Sequence, residues 1–196
     1  MRLAGLLLCL ALLPAVGSAQ ETAAVTTAPR VRVVTNVGDF VIELDRGRAP
    51  LTVAAFLKYV NEGFYTGVIF HRVVAGFVAQ AGGYTADYTQ DPVTYTPKIV
   101  TGAVINESGN GLSNLRGTVG FARTNEPHSG TSQFFVNLAD NIDLNPRPTR
   151  WGYAVFGKVV EGKDTVDKIK KVATGNAGGH QNVPTSPVLI EKAECI

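Results

Sequence analysis

Residues 32–45 read RVVTNVGDFVIELD and predict two β-strands joined by a short turn. In the second strand, Phe40, Ile42 and Leu44 alternate with residues of a wetter face, which is typical of a half-buried strand. The NVG segment at residues 36–38 lies between the two runs and fits the reversal of a hairpin. We therefore predict that the domain begins with an antiparallel hairpin.

Similar short, β-branched or alternating runs recur along the chain, separated by Gly, Pro and Asn, and they indicate a mainly β domain. Eight strands are predicted, at residues 32–35, 39–45, 68–73, 77–81, 117–122, 133–138, 153–160 and 188–193. Only two stretches have helical spacing. The first follows Pro50 and ends near Gly63, and the second covers about 163–172. Eight strands and two helices favour a closed barrel with its ends covered, since closure removes exposed sheet edges; two packed sheets are the alternative.

Composition limits the classes of protein to which the chain can belong. Its 196 residues, 45% hydrophobic and 17% charged, suit one domain with a sizeable core. The formal net charge is +2, and Lys and Arg never occur more than two in a row. The sequence therefore lacks the basic stripe that nucleic acid binding requires, and we expect no nucleic acid partner.

The N-terminus has the order of a secretory signal peptide: a basic start, an apolar run, and the small residues GSA that end at Ala19. A membrane anchor is the alternative, but the apolar run is shorter than the ~20 residues needed to span a bilayer. We expect residues 1–19 to be removed, 20–30 to form a flexible leader, and 31–196 to form the domain. Cys9 would leave with the signal, so Cys195 would have no partner for an internal disulfide.

Several common kinds of site have no sequence support. The chain has no GxxxxGK[ST], no GxGxxG after a strand, no HExxH, no CxxC and no GxSxG. His71, His128 and His180 are not at metal-ligand spacing, so the residues alone favour structural or solvent-facing roles for them. We predict no metal site and no cofactor.

Residues 70–83, FHRVVAGFVAQAGG, place Arg72 and Gln80 among apolar neighbours in a strand pattern. Strict alternation puts Phe70 and Arg72 on one face and His71 on the other. Arg72 then either reaches solvent or lies over a concave surface with polar partners; taken alone, the pattern favours solvent, because Arg is seldom buried.

Two further segments combine aromatic and polar residues: RGTVGFART at 116–124 and SGTSQFFVNLADN at 129–141. Phe134 and Phe135 are neighbours in a predicted strand, so one must face the core and the other must face outward. Two strands that each present an outward aromatic ring and a polar group could frame a shallow pocket.

Together these segments resemble the cyclophilin family. FHRV followed by GF and Q, then NGLSNLRGTVGFART, TSQFF and GYAVFGKVVEG, occur in family order and at family spacing from about residue 31 to 194. The resemblance implies a closed eight-stranded antiparallel barrel capped by two helices, and the activity of a peptidyl-prolyl cis-trans isomerase acting on proline-containing polypeptides. The bacterial secreted branch is the most similar, which implies a periplasmic protein that assists folding; we expect a monomer.

The resemblance also implies roles for particular residues. Arg72 matches the catalytic arginine, and His71 matches a residue beside the site. The proline pocket matches Phe77, Val78, Phe135, Leu144 and Tyr153. The polar contacts match Gln80 and Gln133, and the stretch whose backbone pairs with the substrate chain matches Ala122, Arg123 and Thr124.

Three positions depart from the family pattern. Val78 stands where Met is frequent, Tyr153 where His is frequent, and Asp143 where many relatives have Trp or Phe at the rim of the pocket. Asp143 argues against tight binding of cyclosporin, and the sequence leaves open whether Trp151 returns to the rim. The alternative function is a proline-peptide-binding chaperone with weak or no catalysis.

Overall fold

Eight antiparallel strands close into a barrel in the computed structural model, which describes residues 28–90 and 93–196. The strands are β1 (Arg30–Thr35), β2 (Gly38–Leu44), β3 (Val68–Val73), β4 (Val78–Ala81), β5 (Tyr84–Asp87), β6 (Thr94–Pro97), β7 (Thr118–Phe121), β8 (Phe134–Asn137), β9 (Val155–Glu161), β10 (Thr174–Ala177), β11 (His180–Pro184) and β12 (Leu189–Cys195). The barrel order is β1-β12-β3-β4-β8-β7-β9-β2, and β2 pairs with β1 to close it. The predicted closed barrel is thus confirmed, and the alternative of two packed sheets is not. Each barrel strand overlaps one of the eight predicted runs.

Two helices accompany the barrel, α1 (Pro50–Asn61) and α2 (Lys163–Lys170), as predicted, and a short 3-10 turn covers Ile142–Leu144. Phe56 of α1 is fully buried, and its ring centre lies 5.5 Å from that of Phe134 and 5.2 Å from that of Phe156. The alternating residues of β2 belong to the same core, as their pattern predicts. Helix α1 therefore contributes an aromatic ring to the barrel core.

The alternation predicted along β3 is wrong at one point. Phe70 pairs with Ala81 and Arg72 pairs with Gln80, so one extra residue of β3 is inserted between two consecutive pairings. This β-bulge shifts the phase of the strand, and Phe70 and Val73 both enter the main core. Arg72 is thereby left half-exposed, outside that core.

Two short hairpins were not predicted from the sequence: β5 with β6, and β10 with β11. Their segments are rich in Gly, Thr and Asn and are only partly buried, so they lack the alternation that marks a strand. The hairpins contact each other through Tyr95 and His180, whose ring centres are 5.2 Å apart. Residues of both hairpins line a cavity together with His71 and Arg72 of β3.

The predicted signal peptide, residues 1–19, lies outside the described residues, as does the leader up to residue 27. Arg30, which the prediction placed in the leader, is instead the first residue of β1, because it pairs with Glu43 of β2 both in register and through a 2.8 Å ion pair. No helix in the described part of the chain is long and apolar enough to cross a membrane.

Candidate active site

A row of polar side chains crosses strands β3, β4 and the start of β8. Nη1 of Arg72 donates to Oε1 of Gln80 at 3.5 Å, and Nε2 of Gln80 donates to Oε1 of Gln133 at 2.8 Å. The guanidinium carbon of Arg72 lies 5.5 Å from the ring centre of Phe77, within cation–π range. Arg72 is therefore held over an aromatic ring by polar partners, the arrangement that the residue pattern alone had not favoured.

An apolar cluster, separate from the main core, lies beside this row. Its buried members are Val78, Ala122 and Phe135, and the half-buried residues packed on them are Phe77, Leu144 and Tyr153. Phe135 and Tyr153 meet nearly at right angles, with ring centres 5.9 Å apart. Phe134, by contrast, lies in the barrel core, so the opposite orientations predicted for the two phenylalanines are confirmed. All five residues predicted for the proline pocket come together here.

Buried asparagines hold two sides of this cluster in place. Asn141 donates from Nδ2 to the carbonyl of Phe77 at 2.8 Å and to Oδ1 of Asn137 at 2.7 Å. Asn137 donates in turn to Oδ1 of Asn114 at 3.1 Å, and Asn114 donates to the carbonyl of Tyr153 at 3.2 Å. Because Asn114 and Asn137 are fully buried, this chain fixes the backbone beneath Phe77 relative to that beneath Tyr153.

The side chain of Arg123 makes several contacts, whereas its backbone N–H and C=O make no hydrogen bond within the described residues. Its guanidinium lies 4.5 Å from the ring centre of Tyr153 and donates to the carbonyls of Trp151 at 2.7 Å and Gly152 at 3.1 Å. The N–H groups of Ala122 and Thr124 are already donated, to the Gln133 carbonyl and to Ser129 Oγ. Of the three residues predicted to pair with a substrate strand, Arg123 is the one best placed to do so.

His71 is buried next to Arg72, beneath the hairpin residue Tyr84, whose ring centre is 4.8 Å away. Burial is the main cause that lowers the pKa of His71 to about 4, and the charges of His180 and Arg72 lower it further. The imidazole is therefore neutral at pH 7. His71 lines a cavity together with Arg72, Gln80 and Gln133.

Asp143 and Trp151 are both exposed. The Asp143 carboxylate is exposed and is paired with Arg147. Trp151 packs against His128, with ring centres 5.0 Å apart, and its backbone carbonyl accepts from the Arg123 guanidinium at 2.7 Å.

A cavity of about 360 Å³ borders Arg72, Gln80 and Gln133. A larger one, of about 760 Å³, lies over β2 and β9 and includes none of the predicted site residues. In the described ranges, no three His, Cys, Asp or Glu side chains are grouped so that they could hold a metal ion.

The residues that support the cluster were not among the predicted site residues. Gly120 lies inside strand β7, and a Cβ at that position would overlap the Phe135 ring. A glycine within a strand pattern is the signal that could have marked this close approach. The buried asparagines gave a weaker signal, since Asn137 is a polar residue within the apolar run FFVNL.

The barrel is similar to solved cyclophilin structures. It aligns with a cyclophilin-type peptidyl-prolyl cis-trans isomerase of Cryptosporidium parvum with a TM-score of 0.70 and 22% identity, covering 86% of this chain and 98% of that one. A structure of the same Cryptosporidium protein determined in the presence of the dipeptide Ala-Pro aligns with a TM-score of 0.67 and 23% identity, covering 84% and 96%. At this level of identity, the likeness establishes the fold.

Sequence comparison establishes the family. The model of the family described as "Cyclophilin type peptidyl-prolyl cis-trans isomerase/CLD" matches residues 30–195. Peptidyl-prolyl cis-trans isomerase A of Dickeya dadantii is 48% identical over 173 residues, covering 88% of this chain and 87% of the relative. Peptidyl-prolyl cis-trans isomerase B of Escherichia coli is 49% identical over 160 residues, covering 80% and 93%. The chain therefore belongs to the cyclophilin-type peptidyl-prolyl cis-trans isomerase family.

Proposed function

We propose that this enzyme accelerates rotation about X-Pro bonds in exported polypeptides, with Arg72 as its catalytic residue. The observation that carries the proposal is the position of Arg72. Its guanidinium is held over Phe77 by Gln80, at the edge of an apolar cluster that suits a pyrrolidine ring.

The reaction needs no bond to be made or broken. Rotation about a peptide bond has a barrier of roughly 18–20 kcal/mol because twisting removes amide resonance. In the twisted state the proline nitrogen becomes pyramidal and regains a lone pair. A guanidinium N–H of Arg72 can donate to that nitrogen far better than to the planar ground state, and this difference between the two states accelerates rotation.

One hydrogen bond does not account for the whole effect. Shortening the uncatalysed ~10–100 s to milliseconds requires a gain of about 10⁴-fold, or roughly 5–6 kcal/mol. A charged donor in a dry site supplies about 3–4 kcal/mol. In this proposal the rest of the barrier reduction comes from packing of the proline ring against Phe77 and Phe135, while the chain before the proline is bound at a second place.

The free backbone of Arg123 would hold that preceding chain. An extended substrate can accept a hydrogen bond from the Arg123 N–H and donate one to its C=O, as if it added a strand. Holding the substrate on one side of the proline lets the other side rotate. The engaged guanidinium of Arg123 keeps this backbone at a fixed distance from Tyr153.

Export is proposed from the sequence of residues 1–19, whose basic start, apolar run and final small residues match a signal peptide. The mature enzyme would then act as a monomer in the periplasm on newly exported chains, in which slow proline isomerisation can limit folding. Mass spectrometry of the exported protein tests this: a chain that begins at Gln20 supports it, and a chain that retains residues 1–19 contradicts it.

The alternative of a peptide-binding chaperone without catalysis is not favoured, because the chain belongs to an isomerase family. The deciding experiment is a protease-coupled isomerisation assay on the chain from Gln20 onward, with an Ala-Pro-containing test peptide. We expect cis-to-trans conversion well above the spontaneous rate. Binding of the peptide with no acceleration would instead identify a chaperone.

A further inference from the structure

The cavity of about 360 Å³ beside Arg72 is a second feature of the catalytic face. The barrel order β3-β4-β8-β7 places it at the opposite edge of the site from Ala122 and Arg123, which follow β7. Arg72, Gln80 and Gln133 line the cavity. Arg72 also lies over the ring of Phe77, and Gln80 pairs with Phe135 between β4 and β8, so the cavity adjoins the apolar cluster. A chain that crosses the site from Arg123 over Phe135 would therefore continue toward this cavity.

The outer wall of the cavity comes from the two hairpins that the sequence did not predict. Tyr84 belongs to β5, and His180 and Gln181 belong to β11; the ring centres of Tyr84 and His180 are 4.9 Å apart. Gln181 is exposed at the mouth. These residues form the wall of the cavity on the side of the two hairpins.

The charged groups that line the cavity are all of one sign. Among the described residues that form it, Arg72 is the one Arg or Lys, and no Asp or Glu contributes. The other walls are amides, a phenol and imidazoles, several of which can donate hydrogen bonds. Such a lining favours a side chain that accepts hydrogen bonds or carries negative charge, and it disfavours an ammonium group.

Strand geometry indicates which substrate residue reaches the cavity. With the proline ring on Phe135 of β8, β3 lies two strands away, or roughly 10 Å at the usual strand spacing. An extended chain advances roughly 7 Å in two residues, and its side chains alternate between faces. The first residue after the proline would therefore face solvent. The second would face the protein, within reach of the recess.

We propose that this cavity binds the side chain of the second residue after the proline and selects glutamate or glutamine over lysine. The inference rests on the proposed isomerase function and adds a sequence preference to it. It assigns to Gln181 a role in specificity, because this exposed residue lines the cavity from the β10-β11 hairpin and is not part of the barrel strands that carry the apolar cluster.

The test uses exchange NMR to measure kcat/KM on peptides of the form Ala-Ala-Pro-Ala-Xaa-Ala, with Xaa as Glu, Gln, Lys or Ala. For the wild-type enzyme we expect Glu and Gln to exceed Lys by about fivefold, the scale of a partly screened charge interaction. Moving Xaa to the first position after the proline should remove most of this preference, because that side chain points to solvent.

Gln181→Glu places a negative charge at the mouth and is expected to abolish or reverse the preference, with each rate taken relative to that of the Ala peptide for the same variant. Asn176→Asp is the matched control, because it adds the same charge to an exposed residue of the same hairpin that does not line the cavity; it should keep the wild-type preference.

Equal rates for Glu and Lys in the wild-type enzyme would overturn the subsite, as would a preference confined to the first position or an unchanged preference in Gln181→Glu. If the Ala peptide itself is not turned over, the isomerase function fails as well. The two failures are thus distinguishable.

Discussion

Gly120 of β7 pairs directly with Phe135 of β8, and the Phe135 ring lies over the place where a side chain of Gly120 would be. A Cβ built on Gly120 would be 2.2 Å from Cζ of Phe135, far inside any contact distance. The Phe135 ring, a buried member of the apolar cluster, can therefore take this position only because Gly120 has no side chain.

Gly120→Ala should displace the Phe135 ring toward the substrate. We expect kcat/KM for a proline peptide to fall at least tenfold, and the free energy of unfolding to fall by about 1–3 kcal/mol because of overpacking. Isomerisation assays and urea denaturation measure the two effects. Gly109→Ala is the control, since a Cβ there meets no atom within 4 Å; wild-type kcat/KM in Gly120→Ala would show that the ring position is unimportant.

Asn141→Ala removes the donor that holds the carbonyl of Phe77 and leaves Oδ1 of Asn137 without its 2.7 Å partner. We expect the free energy of unfolding to fall by about 1–3 kcal/mol, the cost of unsatisfied buried groups. Because Phe77 would then be less well fixed, KM should rise more than kcat falls. The exposed Asn176→Ala should change neither quantity, and an unaltered KM in Asn141→Ala would contradict a positioning role for this asparagine.

His71 predicts how stability depends on pH. Its pKa is about 4 in the folded protein and about 6.5 in an unfolded chain, so between these values the unfolded state binds more protons. Its contribution to stability is therefore complete above pH 6.5 and is lost as the pH falls toward 4. The total loss is of the order of 3 kcal/mol.

Urea denaturation between pH 4 and 7.5 measures this dependence, and the difference between wild type and His71→Phe isolates the contribution of His71. We expect the variant to lose less stability on acidification. The control is replacement of His128, an exposed residue that accepts a hydrogen bond from the Asn106 N–H. This replacement should leave the pH dependence caused by His71 unchanged. Parallel curves for wild type and His71→Phe would refute the burial of a neutral imidazole.

The barrel strands could be predicted because their alternation and turn residues are local properties of the sequence. The bulge in β3 could not, because it depends on how Phe70 and Arg72 pair with β4 rather than on either strand alone. The two outer hairpins were missed for a related reason: contacts such as that of Tyr95 with His180 join segments far apart in the chain.

For the site, the resemblance grouped Arg72, Phe77 and Phe135, and the structure brings these three side chains together. The resemblance did not identify the residues that hold these side chains in position. Gly120 acts by lacking a side chain, and Asn141 acts through hydrogen bonds across the fold, so neither carries a chemical signature of catalysis.

The central claim is that a guanidinium held over Phe77 lowers the barrier to rotation. The most direct test is kcat/KM for a proline peptide in Arg72→Ala and Arg72→Lys, beside the exposed control Arg46→Ala, with folding checked by circular dichroism. We predict a loss of roughly 10²- to 10³-fold in Arg72→Ala, a large loss in Arg72→Lys because an ammonium lacks the planar fork, and wild-type activity in Arg46→Ala. Full activity in either folded Arg72 variant would contradict the account.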